Sequence, residues 1–562
     1  MSRTTPLVIV LALVIAGPQL QGQIAAAPLT AKNGMVVGPE PLATDVALQV
    51  LRDGGNGVDA AVALGFALAV TFPSAGNLGG GGFMVIQAPG GELVALDYRE
   101  MAPLAATREM YLDAAGRAIP EKSTVGHLAV GVPGSVAGMC HAHARFGKLP
   151  LKSVMAGAIR LAEDGFPVSR FLARSLRGNR VLLASHEESR RIFLAGGKGH
   201  EEGETFVQSE LAATLKRIAE SGPEGFYSGV TADLMLAEMQ RGGGILKKAD
   251  LVGYRVMERE PLVGRYRGHE IVSMPPPSSG GVALLQMLQI LEGFPISEWG
   301  FGAEDSVHTM AEAMRFAFRD RALHLGDPDF SPIPVEDLVR RPYCEALRKQ
   351  IGARAAVSEG LINVPFEKDQ TTHYSILDAS GFAVACTTTL NGSYGCGVTV
   401  KGAGFLLNNE MDDFAVAPGV PNMFDLIQGE ANAVGPRKRP LSSMTPTLVR
   451  KDGKVVMVIG SPGGPTIITT VLQCILNVVD HGMTISQAIA APRFHHQWKP
   501  DRIVHEPFGL NPDVIRGLKQ RGHELVPRDG YQGDAHGIWV DLSRGLLTGA
   551  ADPRYGGAAR GF

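Results

Sequence analysis

A layered β-sheet with helices on its outer faces is the fold class that this sequence predicts, and three observations carry the prediction. Strand patterns and helix patterns occur in both halves of the chain. One helical stretch, residues 59–71, is rich in Ala and Val and apolar on most faces, so it belongs in an interior. The chain has 562 residues, 45% of them hydrophobic and 19% charged, which supplies apolar material for a large core. Stacked layers of sheet and helix are the usual way to bury such faces.

The chain begins with a positive residue, Arg3, then an almost wholly apolar run over residues 6–16 and the small residues Ala25-Ala26-Ala27. This order reads as a signal peptide over residues 1–27, and so as a secreted or periplasmic protein. An uncleaved interfacial anchor is the alternative reading. Pro28 makes a cut directly after Ala27 awkward, so the position stays open. A run of about eleven residues is too short to span a bilayer, and no other stretch reads as a stable membrane span.

Helix is predicted over residues 41–72, opened at Pro41 and interrupted by Asp53-Gly54-Gly55-Asn56. A glycine-rich loop follows over residues 73–82. Residues 83–87 and 93–97 then look like paired strands. From 151 to 350 the helix signal dominates, with charged outer faces and a rigid loop at 275–281. Residues 371–377 and 382–389 return to strand around the turn Ala379-Ser380-Gly381. Leu448 and residues 455–459 add strand around Asp452-Gly453, and 467–479 is helix. No internal repeat of 20 to 50 residues is present.

The formal net charge is -3 with no long basic run, which speaks against a nucleic-acid partner. Cys140, Cys344, Cys386, Cys396 and Cys474 form no CxxC pair and no metal-finger spacing. Cys386 and Cys396 could bond across adjacent strands, although unpaired packing is the expectation. There is no G-x-S-x-G elbow, H-E-x-x-H or P-loop. His495-His496 is read as part of a packed aromatic patch with Phe494 and Trp498. Gly79-Gly80-Gly81-Gly82 lacks the strand-before, helix-after context of a nucleotide loop, so tight turning or close backbone packing is its expected use.

Other segments carry chemistry. Thr371-Thr372-His373 begins a strand, and Thr387-Thr388-Thr389-Leu390-Asn391 ends the next with hydroxyls and an amide. Asn408-Asn409-Glu410-Met411-Asp412-Asp413 gathers three acids and two amides, a composition usual for a solvated loop. Pro440-Leu441-Ser442-Ser443-Met444-Thr445-Pro446 follows, and Gly460-Ser461-Pro462-Gly463-Gly464 sits between a strand and a helix. Backbone N–H groups at such a junction make an anion hole.

These segments, together with residues 75–84, 97–103, 274–281 and 492–498, resemble the gamma-glutamyltranspeptidase family in order and spacing across residues 30–554. The resemblance implies an α+β fold, the four-layer αββα sandwich of the N-terminal-nucleophile hydrolase type. It implies self-cleavage between Gln370 and Thr371. A large subunit, residues 28–370, and a small subunit, residues 371–562, would then form one interwoven heterodimer. Cleavage would free an α-amine with a pKa of roughly 7.7–8.0, a base placed beside the weakly nucleophilic Thr371 hydroxyl.

By the same resemblance Thr389 would orient Thr371, and the N–H groups of Gly463 and Gly464 would hold the oxyanion. Arg99, with Ser442 and Ser443, would take the substrate α-carboxylate. Asn391, Glu410 and Asp413 would take its α-ammonium. The substrates implied are glutathione and other γ-glutamyl compounds, with water, amino acids or dipeptides as acceptors and no metal or cofactor. Residues 418–439 resemble the lid loop of bacterial members, with Phe424 where a tyrosine is usual. The rival readings are a glutaryl or cephalosporin acylase and an inactive, unprocessed periplasmic binding or scaffold relative.

Overall fold

The computed structural model describes residues 28–358, 371–417 and 419–562. The expected signal peptide and Gln370 lie outside the described residues. Two seven-stranded sheets form the centre. In the first, the order is Ala558–Gly561, Gly34–Gly38, Thr372–Asp378, Ala383–Thr389, Gly81–Gln87, Leu93–Tyr98 and Met257–Arg259. In the second it is Leu29–Ala31, Leu546–Ala551, His536–Asp541, Lys454–Gly460, Thr447–Lys451, His269–Ser273 and Leu262–Tyr266.

Strand alternation produces the layering. Phe83, Val85, Ala383 and Ala385 point from the first sheet into a core shared with Val272, Leu448, Val458 and Ile538 of the second. Their neighbours Met84, Ile86, Val384 and Cys386 point the other way, onto Gly57–Thr71 and the helices packed around it. On the far side Val449, Met457 and Ile459 meet Gly280–Leu291, Glu304–His324 and Thr466–Val479. Three cores between four layers make the αββα sandwich that the resemblance implied. A one-residue slip in any central strand would exchange its two buried faces, so the register is strongly specified.

Most predicted elements are observed within a residue or two. Asn56, read as the end of the first helix, instead caps the second. Its side chain accepts from the N–H groups of Val58 and Asp59, and Asp59 accepts from the Asn56 N–H at 3.0 Å. Gly280 and Gly281, assigned to the rigid loop, start the helix Gly280–Leu291. Three strands between 257 and 273 interrupt the stretch read as helical. The cysteines are all free and buried; Cys386 lies 3.0 Å from the Tyr98 hydroxyl rather than against Cys396. No helix among the described residues is long and apolar enough to cross a membrane.

Candidate active site

Thr371 immediately precedes the strand Thr372–Asp378, whose antiparallel partner ends at Thr389. Pairing Thr372 with Thr388 therefore sets Thr371 and Thr389 side by side, with 3.4 Å between their hydroxyl oxygens. The Thr389 hydroxyl also accepts from the Asn391 N–H at 2.8 Å, holding Asn391 at φ +74°.

The glycine run supports this strand end. Asn77 donates to the Thr389 carbonyl at 2.9 Å and accepts from the Gly80 N–H and the Ser135 hydroxyl. A Cβ on Gly80 would run into that same carbonyl, and one on Gly79 into the Leu406 carbonyl. Close backbone approach is thus the use of these glycines, as expected.

His373 is the nearest histidine to Thr371 in sequence. It is fully buried between the sheets and bonded to Thr387 and Ser375. Burial drives its pKa well down, so it stays neutral and faces away from the pocket. His495 is likewise packed, bonded to Thr469 and Gln497 and edge-on to Phe318.

Thr371 opens into a pocket of about 310 Å³. Its walls bring together Arg99, Thr389, Asn391, Glu410, Asp413, Phe424, Ser442, Ser443 and Gly464, nearly the whole predicted set. Gly463 stands one residue behind the wall. Gly463 and Gly464 have φ of +135° and +51°, and their carbonyls accept the first-turn N–H groups of Thr466 and Ile467. Among the described residues their own N–H groups have no acceptor, which suits donors kept for an oxyanion.

The acidic run is buried, not solvated. Residues Glu410–Asp413 form one 3-10 turn. Arg99 ion-pairs through one terminal nitrogen with Glu410 and through the other with Asp413, and its Nε donates to the Pro440 carbonyl. Glu100 lies 3.8 Å from the same guanidinium. Burial pushes the Glu100 carboxyl up to about 7 against the pull of Arg99. Burial also raises Glu410 well above the usual range, opposed by Arg99 and reinforced by Glu100 and Asp413. Asp412 serves the loop above instead, accepting from Ser123 and from the Met423 N–H.

Phe424 forms part of the roof, with Leu426 beside it and its carbonyl accepting from Gln497 at 3.3 Å. At the opposite wall the proline-rich loop holds the serines. Ser442 donates its N–H to Pro277, and its carbonyl accepts from both the N–H and the hydroxyl of Ser279. Behind them lies Arg321, a buried cation that sequence reasoning missed. Asn77 and Glu100 were also given no role, although each sits inside a motif already singled out.

Compared with known proteins, residues 43–562 match the family model described as Gamma-glutamyltranspeptidase. The chain is 48% identical to the Glutathione hydrolase proenzyme of Escherichia coli (strain K12), over 94% of this chain and 91% of that protein. A cephalosporin acylase crystal structure from Bacillus halodurans superposes with a TM-score of 0.85 at 29% identity, covering 98% of this chain and 99% of that one. The Helicobacter pylori gamma-glutamyltranspeptidase structure superposes at 0.55 with 46% identity, covering 56% of this chain and 90% of that one.

Proposed function

The chain belongs to the gamma-glutamyltranspeptidase family, and from that premise we propose how its residues carry out γ-glutamyl transfer. The enzyme is an acyltransferase and hydrolase made as a precursor that processes itself into two subunits. Cleavage at Gln370–Thr371 gives a large subunit of residues 28–370 and a small one of residues 371–562. The residues before 28 direct export to the periplasm or beyond.

After cleavage the Thr371 α-amine takes the proton of its own hydroxyl while Oγ bonds to the γ-carbonyl carbon. Amine and hydroxyl share one residue, so no second side chain must be aligned. Thr389 orients the hydroxyl. The carbonyl oxygen becomes an oxyanion held by Gly463 and Gly464, each donor worth about 2.7–4 kcal/mol. Collapse breaks the C–N bond, and the leaving amine takes the proton from the Thr371 ammonium. The resulting γ-glutamyl ester passes to water, giving glutamate, or to the amine of an amino acid or dipeptide. Glutathione and related γ-glutamyl amides are the donors.

The observation that carries this reading is the single pocket in which Thr371 faces Arg99, Asn391, Glu410 and Asp413. A substrate zwitterion inserted there meets acids at its ammonium and Arg99 with the two serines at its carboxylate. The cephalosporin acylase likeness keeps a second reading alive. A glutaryl donor has no ammonium, however, and leaves Glu410 and Asp413 with Arg99 alone to balance them. The test is intact mass and N-terminal sequencing alongside hydrolysis of γ-glutamyl and glutaryl anilides. Two chains, one starting at Thr371, with faster γ-glutamyl cleavage are expected. Equal or faster glutaryl cleavage refutes the substrate assignment, and a single inactive chain would favour the scaffold relative.

A further inference from the structure

Two buried guanidiniums flank the pocket, and they are placed differently. Arg99 is held by three carboxylates at ion-pair distance, those of Glu410, Asp413 and, at 3.8 Å, Glu100. Arg321, on the helix Glu304–His324, is equally buried yet has no carboxylate within that distance among the described residues. Its Nε donates to the Ser279 hydroxyl at 3.0 Å, its Nη2 lies 3.5 Å from the Ser443 hydroxyl, and its Nη1 is buried without a partner. Burial lowers its pKa to about 10, which leaves it a cation at neutral pH.

The donor count around the serines follows from this. A serine hydroxyl has one proton to give and lone pairs to accept with, whereas a guanidinium only donates. Ser443 therefore accepts from Arg321, and its own proton is left to point elsewhere. Ser279 accepts from Arg321 and gives its proton to the Ser442 carbonyl at 2.7 Å. Ser442 accepts from the Met444 N–H at 3.1 Å, so its proton is free as well. Two hydroxyls on the pocket wall are thus set as donors, a pair suited to an anion.

We propose that Arg321 is a positioning residue for the carboxylate of the donor substrate. It orients Ser443 as a hydrogen-bond donor toward the pocket and adds, from behind the serines, a second positive charge to that of Arg99. The role deepens the γ-glutamyl reading above and rests on it.

The test compares Arg321→Met and Arg321→Lys with the unaltered enzyme on three anilides: γ-glutamyl, glutaryl (carboxylate without ammonium) and 4-aminobutyryl (ammonium without carboxylate). Denaturing gels check that each variant still matures. Arg321→Met is expected to raise KM for the carboxylate-bearing donors by about 10- to 100-fold, the range of a charge-assisted hydrogen bond. Its kcat should stay within about threefold, and the 4-aminobutyryl anilide should be unaffected. Arg321→Lys should recover part of the KM. An equal loss in kcat/KM on all three donors, or a loss confined to kcat, would overturn the proposal. Where Arg321→Met does not mature, Arg321→Lys is read by the same criterion. The unaltered enzyme judges the γ-glutamyl reading separately. If it prefers the glutaryl donor, that reading fails, and Arg321 is still tested on glutaryl against butyryl anilide.

Discussion

Replacing Glu410 by Gln removes one ionisable group from the buried cluster around Arg99 while keeping its shape. Glu100, Glu410 and Asp413 face Arg99, with Arg321 as a second, more distant cation. Three acids against two cations leave one negative charge too many for a buried site, so a carboxyl retains its proton. Burial raises Glu410 well above its ordinary value of 4.5. Between that value and its raised one, the folded protein holds a proton that the unfolded chain has released. Stability then falls as pH rises, by about 1.4 kcal/mol per pH unit for each such proton.

Gln carries no proton to lose, so the variant lacks this contribution. Relative to the unaltered protein it should gain about 1.4 kcal/mol for each pH unit above 4.5 over which Glu410 keeps its proton. With an unfolding entropy of about 2.1 cal/mol/K per residue over 562 residues, that is a change in Tm difference of about 1 °C per pH unit. Differential scanning fluorimetry reads it at several pH values and one scan rate, with both proteins carrying Thr371→Ala so that unfolding stays within one uncut chain. Parallel Tm curves from pH 4.5 upward would refute a shared proton in the cluster.

Three further outcomes are expected. Thr371→Ala should remain one chain on a denaturing gel, since the attacking hydroxyl is gone; splitting at the same bond would remove Thr371 from the mechanism. Thr389→Val keeps the shape but leaves the buried Asn391 N–H without its acceptor, a cost of about 1–3 kcal/mol. It should lower both kcat and Tm, and unchanged kinetics would deny Thr389 its orienting role. Gly80→Ala forces a methyl against the Thr389 carbonyl, so expression of a matured, active enzyme should drop sharply; full activity would show that the strand end can yield.

Much of the site was legible in the sequence because its residues stand in long segments with distinctive order. Thr371 and Thr389 lie at the ends of two segments that read as strand, and the turn between them sets the register. The acidic run was harder, since its composition reads as solvated until its burial beside Arg99 is known. Arg321 left no such mark. It stands near Arg315, Arg319 and Asp320 on a helix that reads as having a charged outer face, yet Arg315, Asp320 and Arg321 are all buried. Helical periodicity cannot separate a charge facing water from one facing a buried site. The strands at 257–273 escaped for another reason. They are short, one carries Gly264, and Leu262–Tyr266 forms a sheet edge that exposes Val263 and Arg265.

The strand order has a consequence for the lifetime of the enzyme. Thr372–Asp378 and Ala383–Thr389 are inserted between Gly34–Gly38 and Gly81–Gln87. Ala558–Gly561, from the other end of the proposed small subunit, closes the edge beside Gly34–Gly38. While the backbone is continuous, this interleaving is reached within one molecule. Once the proposed cleavage opens the bond before Thr371, regaining it would require two separate chains to meet and thread a shared sheet. Maturation therefore works as a ratchet: folding guides the precursor in, and no comparable route leads the cut protein back. Its endurance is then set by how slowly the sandwich opens, not by the balance between folded and unfolded states.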